Sequence, residues 1–81
     1  SDYSNLGLIA QKKGQLQKAA EYWLKAAVLF ENSGDTASAE YFKNKMVDLF
    51  ESKGDAAAAA YFKRQAAKLM PGAEEVLPRA E

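Results

Sequence analysis

Apolar residues recur along the chain at steps of three and four, the spacing that places side chains on one face of an α-helix. This pattern predicts four helices, at about residues 2–13, 16–32, 36–52 and 56–70. Their apolar stripes consist of Tyr3, Leu6, Gly7 and Ala10; Leu16, Ala19, Ala20, Trp23, Ala26, Ala27 and Phe30; Ala39, Phe42, Met46, Leu49 and Phe50; and Ala59, Phe62, Ala66, Leu69 and Met70. We therefore expect an all-α chain.

Short polar segments that contain glycine separate the predicted helices. Gly34 and Gly54 suit the left-handed residue that follows a helix end. Asp35 and Asp55 come next and suit the N-cap of the following helix, where a carboxylate accepts free backbone N–H groups. Gly14 is followed by a glutamine, which is a weaker cap. Connections this short force neighbouring helices to run antiparallel.

Similar segments recur every twenty residues, which is the length of one helix and one turn. The stretch "LFENSGD" at 29–35 is nearly identical to "LFESKGD" at 49–55. At a spacing of forty, Leu6 matches Met46 and Gly14 matches Gly54, so the first helix corresponds to the third. The chain is therefore expected to form one helical domain, residues 1–70. It consists of two antiparallel hairpins, at about 2–33 and 35–70.

Charge and composition restrict the function. The chain has eleven basic and eleven acidic residues, which argues against a nucleic-acid-binding protein that depends on phosphate contacts and against a polybasic membrane-surface module. No apolar run approaches the ~20 residues that a membrane span needs, and no signal peptide opens the chain. A cytoplasmic location is the default expectation.

The residues of common active sites are missing. The chain contains neither histidine nor cysteine, so it lacks the commonest general base, the thiol nucleophile and the two favoured zinc ligands. No phosphate-binding G-x-x-x-x-G-K-[ST] loop occurs. We therefore expect no enzymatic activity, no cofactor and no metal site.

The first hairpin resembles a tetratricopeptide repeat. In "YSNLGLIAQKKGQLQKAAEYWLKAAVLF", Tyr3 precedes Leu6-Gly7 at the distance of that motif, and Ala19 with Trp23 matches its Ala-x-x-x-Phe pair. The resemblance covers about residues 3–70 and implies a short right-handed solenoid of stacked hairpins.

Two features depart from the tetratricopeptide pattern. Glu31 replaces the usual closing proline, so the second helix is longer and the hairpin is similar to the forty-residue variants of the family. Val47 stands where the second hairpin should carry the signature glycine, and its side chain should widen that helix contact.

The resemblance also implies a binding groove. Tetratricopeptide modules bind a peptide or a partner helix along the first helix of each hairpin. Carried over to this chain, the groove residues are Ser4, Leu8, Gln11, Lys12, Tyr41, Asn44, Lys45 and Asp48. The acidic Asp48 argues against the variant of the family that clamps a terminal carboxylate. An equally simple interpretation is that Leu8 is an ordinary surface leucine and that Tyr41 covers a helix seam.

An alternative function is self-association. Two hairpins without a capping helix should leave one flank of the fourth helix exposed, and a second copy or missing neighbouring repeats could cover it. The flank residues are Phe62, Ala66, Leu69 and Met70. A homodimer or a scaffold segment would result.

A third class is a helical adaptor of the microtubule-interacting and trafficking type. Such domains are similar to "QLQKAAEYWLKAAVLF", but they have three helices, and the fourth stripe counts against them.

The alanine run at 56–60 predicts a tight helix contact, with a flat docking face as the alternative. The basic residues in "KRQAAK" at 63–68 predict a solvated helix face.

The last eleven residues differ in character. Pro71 and Gly72 should stop the fourth helix. Residues 71–81 are expected to be a tail or a linker, in which Val76 and Leu77 could fold back onto the fourth helix.

Overall fold

A computed structural model describes residues 2–70 as four α-helices: α1 (Tyr3–Lys12), α2 (Leu16–Asn32), α3 (Thr36–Glu51) and α4 (Ala56–Leu69). The all-α fold class is confirmed, and each predicted helix end lies within one residue of the observed end. The expectations for residues 71–81, including the fold-back of Val76 and Leu77, lie outside the described residues.

The predicted caps are present at the helix ends. The Asp35 carboxylate accepts the Ser38 N–H at 3.1 Å, and the Asp55 carboxylate accepts the Ala58 N–H at 3.0 Å. The N-cap of α2 makes no side-chain hydrogen bond, as its glutamine predicts. Gly34 has φ of 90°, in the left-handed region where a glycine is favoured.

The turn hydrogen bonds show that each aspartate belongs to two helices. The Asp35 N–H donates to the Phe30 carbonyl at 2.8 Å, and the Gly34 N–H donates to the Glu31 carbonyl at 3.1 Å. This pair of bonds is the Schellman motif, which satisfies free carbonyls at a helix end. Asp55 N–H makes the equivalent bond to Phe50 at 2.9 Å. Each aspartate therefore closes one helix through its backbone and starts the next through its side chain.

The helices pack in chain order, and α2 also contacts α4. The packing repeats at the sequence period. Phe30 stacks on Phe42 with ring centroids 5.8 Å apart and an interplanar angle of 2°. Phe50 stacks on Phe62 at 5.4 Å, also at 2°. The α2–α3 contact thus recurs as the α3–α4 contact one helix later, and the near-identical turn sequences account for it.

The core combines a few large side chains with many small ones. Trp23 and Met46 are the largest fully buried side chains, and small residues let the backbones approach them. Gly7 is the extreme case, because a Cβ built on it would lie 2.3 Å from Trp23 Nε1. Val47 occupies the equivalent position in α3 and is itself buried.

The expectation of an exposed flank on α4 is wrong for three of its four residues. Phe62, Ala66 and Met70 are buried, at 3%, 1% and 2% exposure, whereas Leu69 is 50% exposed. The apolar stripe of α4 is already used, because it packs onto the preceding helices: Phe62 lies against Phe50. The outward side of α4 carries alanine and basic residues together with Tyr61 and Leu69.

Candidate functional site

A chain of side-chain contacts joins α1, α2 and α3 where the sequence predicts a groove. Trp23 Nε1 donates a hydrogen bond to the Ser4 carbonyl at 3.3 Å. On α3, Lys45 places its Nζ 4.9 Å from the centre of the Trp23 ring and 5.6 Å from that of Tyr41. Ammonium groups at this distance are attracted to the negative faces of aromatic rings. Lys45 therefore covers the buried tryptophan and brings Tyr41 beside it.

Among the exposed apolar side chains of α1, α2 and α3, which also include Ile9 and Leu29, two belong to the predicted groove. Leu8 on α1 is 38% exposed, and Tyr41 on α3 is 58% exposed. Tyr41 also meets Phe42 edge to face at 4.9 Å and 86°, so its ring is held from one side while the other stays open. An aromatic ring that is fixed but exposed can bind a partner at a low cost in conformational entropy.

Ser4 is less available for binding than its position implies. Its hydroxyl donates to the Asp2 carboxylate at 2.6 Å, and the Asn5 N–H donates to the same carboxylate at 3.3 Å. These two hydrogen bonds, first that of the hydroxyl, lower the pKa of Asp2. Ser4 therefore helps to hold the Asp2 cap of α1, and the proton of its hydroxyl is already used in that hydrogen bond.

The remaining predicted groove residues lie on α1 and α3 as expected. Lys12, Asn44 and Asp48 are exposed, and Gln11 is half-buried. Nearby on α3, the Lys43 ammonium pairs with the Glu40 carboxylate at 3.1 Å. Lys45 instead contacts the rings of Trp23 and Tyr41. The face thus offers apolar contacts flanked by charges of both signs.

A second apolar surface was missed at the level of sequence. A groove of about 410 Å³ runs along α2, between the start of α1 and the end of α4. Its lining residues are Tyr3, Glu21, Leu24, Lys25, Val28, Leu29 and Leu69. Leu24, Val28 and Leu29 lie off the main stripe of α2 but are themselves one and four residues apart. That secondary stripe was the signal that could have revealed the groove. We call this surface the α2 groove.

The alanine run at 56–60 has one buried and one exposed side. A docking function of the exposed side stays a prediction. Ala59 is buried and Ala60 is exposed, so one side of the run packs inward and the other faces out. The exposed side contributes to a depression of about 370 Å³ together with Glu51, Lys63 and Arg64. Basic and acidic groups therefore share this surface.

Comparisons with known proteins leave the family open. No protein-family model, no curated protein and no solved structure matches the chain. Among the helices of residues 2–70, none combines the length and apolar character required to cross a membrane. Within the same residues, no three acidic side chains converge as a metal site would require.

Proposed function

We propose that the protein is a non-enzymatic interaction module that binds a peptide or a partner helix between α1 and α3, in the manner of a tetratricopeptide repeat. The observation that carries the proposal is the pair of exposed apolar side chains, Leu8 on α1 and Tyr41 on α3. Trp23 of α2 connects these two helices through its hydrogen bond to the Ser4 carbonyl and its contact with Lys45. Interface energy concentrates in a few aromatic and apolar anchors, and Tyr41 has the properties of one.

The test exploits an internal control. Tyr61 on α4 is the counterpart of Tyr41, because it is 47% exposed and meets Phe62 edge to face at 5.0 Å and 87°. Replacement of either tyrosine by alanine should affect stability equally, but only Tyr41 belongs to the proposed groove.

The probe is a random peptide library displayed on phage and selected against the full chain. For the enriched peptides, we expect Tyr41→Ala and Leu8→Ala to weaken binding by about tenfold or more, while Tyr61→Ala leaves the Kd unchanged. Peptides that bind Tyr41→Ala as tightly as the wild type would refute the groove. The absence of any enriched peptide would refute the receptor function itself.

A further inference from the structure

The α2 groove is a second surface, separate from the proposed peptide groove, and most of its lining is apolar. Leu29, Leu49 and Leu69 occupy equivalent positions at twenty-residue intervals. Leu49 is buried at 6% exposure, whereas Leu29 and Leu69 are 54% and 50% exposed and line the same groove. The groove thus leaves two leucines open whose equivalent on α3 is buried.

We propose that the α2 groove binds the C-terminal segment of this same chain, with Val76 and Leu77 as its apolar anchors. The described part of the chain ends at Met70, directly after Leu69 on the rim of the groove. The next residues, Pro71 and Gly72, favour a change of chain direction. The segment therefore starts at the surface that it would cover.

The reach of the segment is sufficient. A chain spans at most ~3.3–3.6 Å per residue, so the seven residues from Met70 to Leu77 can extend about 23 Å. Leu24 and Val28 line the same groove as Leu69, next to which the segment starts, and packed helices lie only about 8–10 Å apart. Val76 and Leu77 can thus contact Leu24 and Val28, which are half-buried on α2.

The charges also permit this arrangement. Glu74 and Glu75 precede the apolar pair, and Lys25 lies on the rim of the groove with its Nζ 5.7 Å from the centre of the Tyr3 ring. Glu21 is the acidic group on that rim, so the acidic residues of the segment should lie on the Lys25 side.

The depression beside Arg64 is the competing site on this chain. Its basic residues could attract the two glutamates, but its lining is alanine and charged groups. It offers no pocket of large apolar side chains for Val76 and Leu77. The apolar pair therefore favours the α2 groove.

Disulfide trapping tests the proposal, because the wild-type chain contains no cysteine. The test pair is Leu29→Cys with Val76→Cys, and the control pair is Ala67→Cys with Val76→Cys. Residues 70–76 connect both pairs to the helices, and Ala67 lies only three residues before Met70 and lines the depression beside Arg64, so random contact does not disfavour the control pair. Docking in the α2 groove favours the test pair, and we expect it to form a monomeric disulfide at least about tenfold faster in dilute solution.

Three outcomes would overturn the proposal. Equal rates for the two pairs would mean that the segment has no preferred site. Faster closure of the control pair would place it beside Arg64. A disulfide-linked dimer from the Leu29 pair would show that a second copy occupies the groove.

A cysteine-free variant provides an independent readout. Val76→Ser combined with Leu77→Ser should move the methyl NMR signals of Leu24, Val28 and Leu29 and lower Tm by about 5 °C. The matched change of Pro78→Ser with Arg79→Ser should do neither. Unchanged methyl signals in the first variant would refute the docking even if Tm falls.

Discussion

The contact between Gly7 and Trp23 depends on a missing side chain. The indole lies where the first carbon of any other side chain would stand, and its Nε1 reaches the Ser4 carbonyl one turn earlier on α1. A buried indole N–H needs such a partner. The glycine thus allows both the close helix approach and the hydrogen bond that orients the ring.

We expect Gly7→Ala to destabilise the protein. Overpacking of a core lowers the free energy of unfolding by about 1–3 kcal/mol, whereas the better helix propensity of alanine raises it by up to about 1 kcal/mol. We therefore expect a net loss of about 1–2 kcal/mol. The measurement is urea unfolding followed by circular dichroism. Asn5→Ala, an exposed change on the same helix, should stay within about 0.5 kcal/mol. Equal or greater stability of Gly7→Ala would contradict the close contact.

The Asp35 cap predicts a pH dependence. The Ser38 hydroxyl at 2.8 Å, followed by the Ser38 N–H, lowers the pKa of Asp35 below its ordinary value of 3.8. Because these bonds are lost on unfolding, the cap stabilises the fold above the unfolded pKa. That contribution disappears as the pH falls through the lower, folded pKa.

Asp35→Asn should therefore flatten the acid side of the stability curve, since the amide still caps the helix but does not titrate. The measurement is the urea midpoint from about pH 7 to about pH 2. Asn44→Ala, an exposed and non-titrating change on α3, is the control and should leave the shape of the curve unaltered. The same acid slope in Asp35→Asn and in the wild type would rule out this role.

The helix ends were predictable at the scale of single elements because their signals are local. A left-handed glycine followed by aspartate determines where one helix stops and the next begins, within a segment of a few residues. The bounds of α2 were accordingly predicted without error, although its N-cap glutamine makes no side-chain bond. There, the Schellman bond of the preceding turn, from Gln15 N–H to the Ala10 carbonyl at 2.9 Å, supplies the constraint.

Gly34→Ala should cost about 1–2 kcal/mol, the penalty of a left-handed conformation for a residue with a Cβ. No atom lies within 4 Å of the position where that carbon would stand, so the cost is conformational rather than steric. Gly34→Asn should consequently cost less, since asparagine tolerates this conformation. If chemical unfolding showed equal losses for the two variants, the backbone angle would not be their cause.

Residues that are equivalent in sequence differ in burial between the middle helices of the stack. Phe50 on α3 is buried at 5% exposure, whereas Phe30 on α2 is only partly buried. Both belong to the same "LFE" tripeptide and both stack on a phenylalanine of the next helix.

Phe50→Ala should cost about 3–5 kcal/mol, as buried phenylalanines do. Phe30→Ala should cost clearly less, because part of its ring already contacts water. Both variants remove the same atoms, a phenylalanine ring, at two different degrees of burial. The measurement compares their free energies of unfolding from urea titrations. Equal losses would show that the difference in burial does not determine the cost of the truncation.

The same long-range effect limited what the sequence could reveal. The stripes predicted which residues are apolar and aligned, but not which neighbour each stripe would meet. Phe62, Ala66 and Met70 were expected at an open flank, and they are buried because α4 turns its stripe onto the helices before it. The spacing of Tyr41, Asn44 and Asp48 indicated a common face on α3, but the groove itself was proposed from a family resemblance. The contact of Lys45 with Trp23 joins two helices without any local signal.

Asp35 and Asp55 each end one helix and start the next, and this restricts which insertions the chain can accept. One residue inserted into either turn would separate the C-terminal Schellman motif of one helix from the N-cap of the next and would destabilise both helices. We therefore expect selection against single-residue insertions in these turns. Whole-unit duplication avoids that damage. Because Leu29 and Leu69 share an environment that Leu49 does not, a hairpin rather than a single helix is the segment whose duplication would preserve both faces of the array.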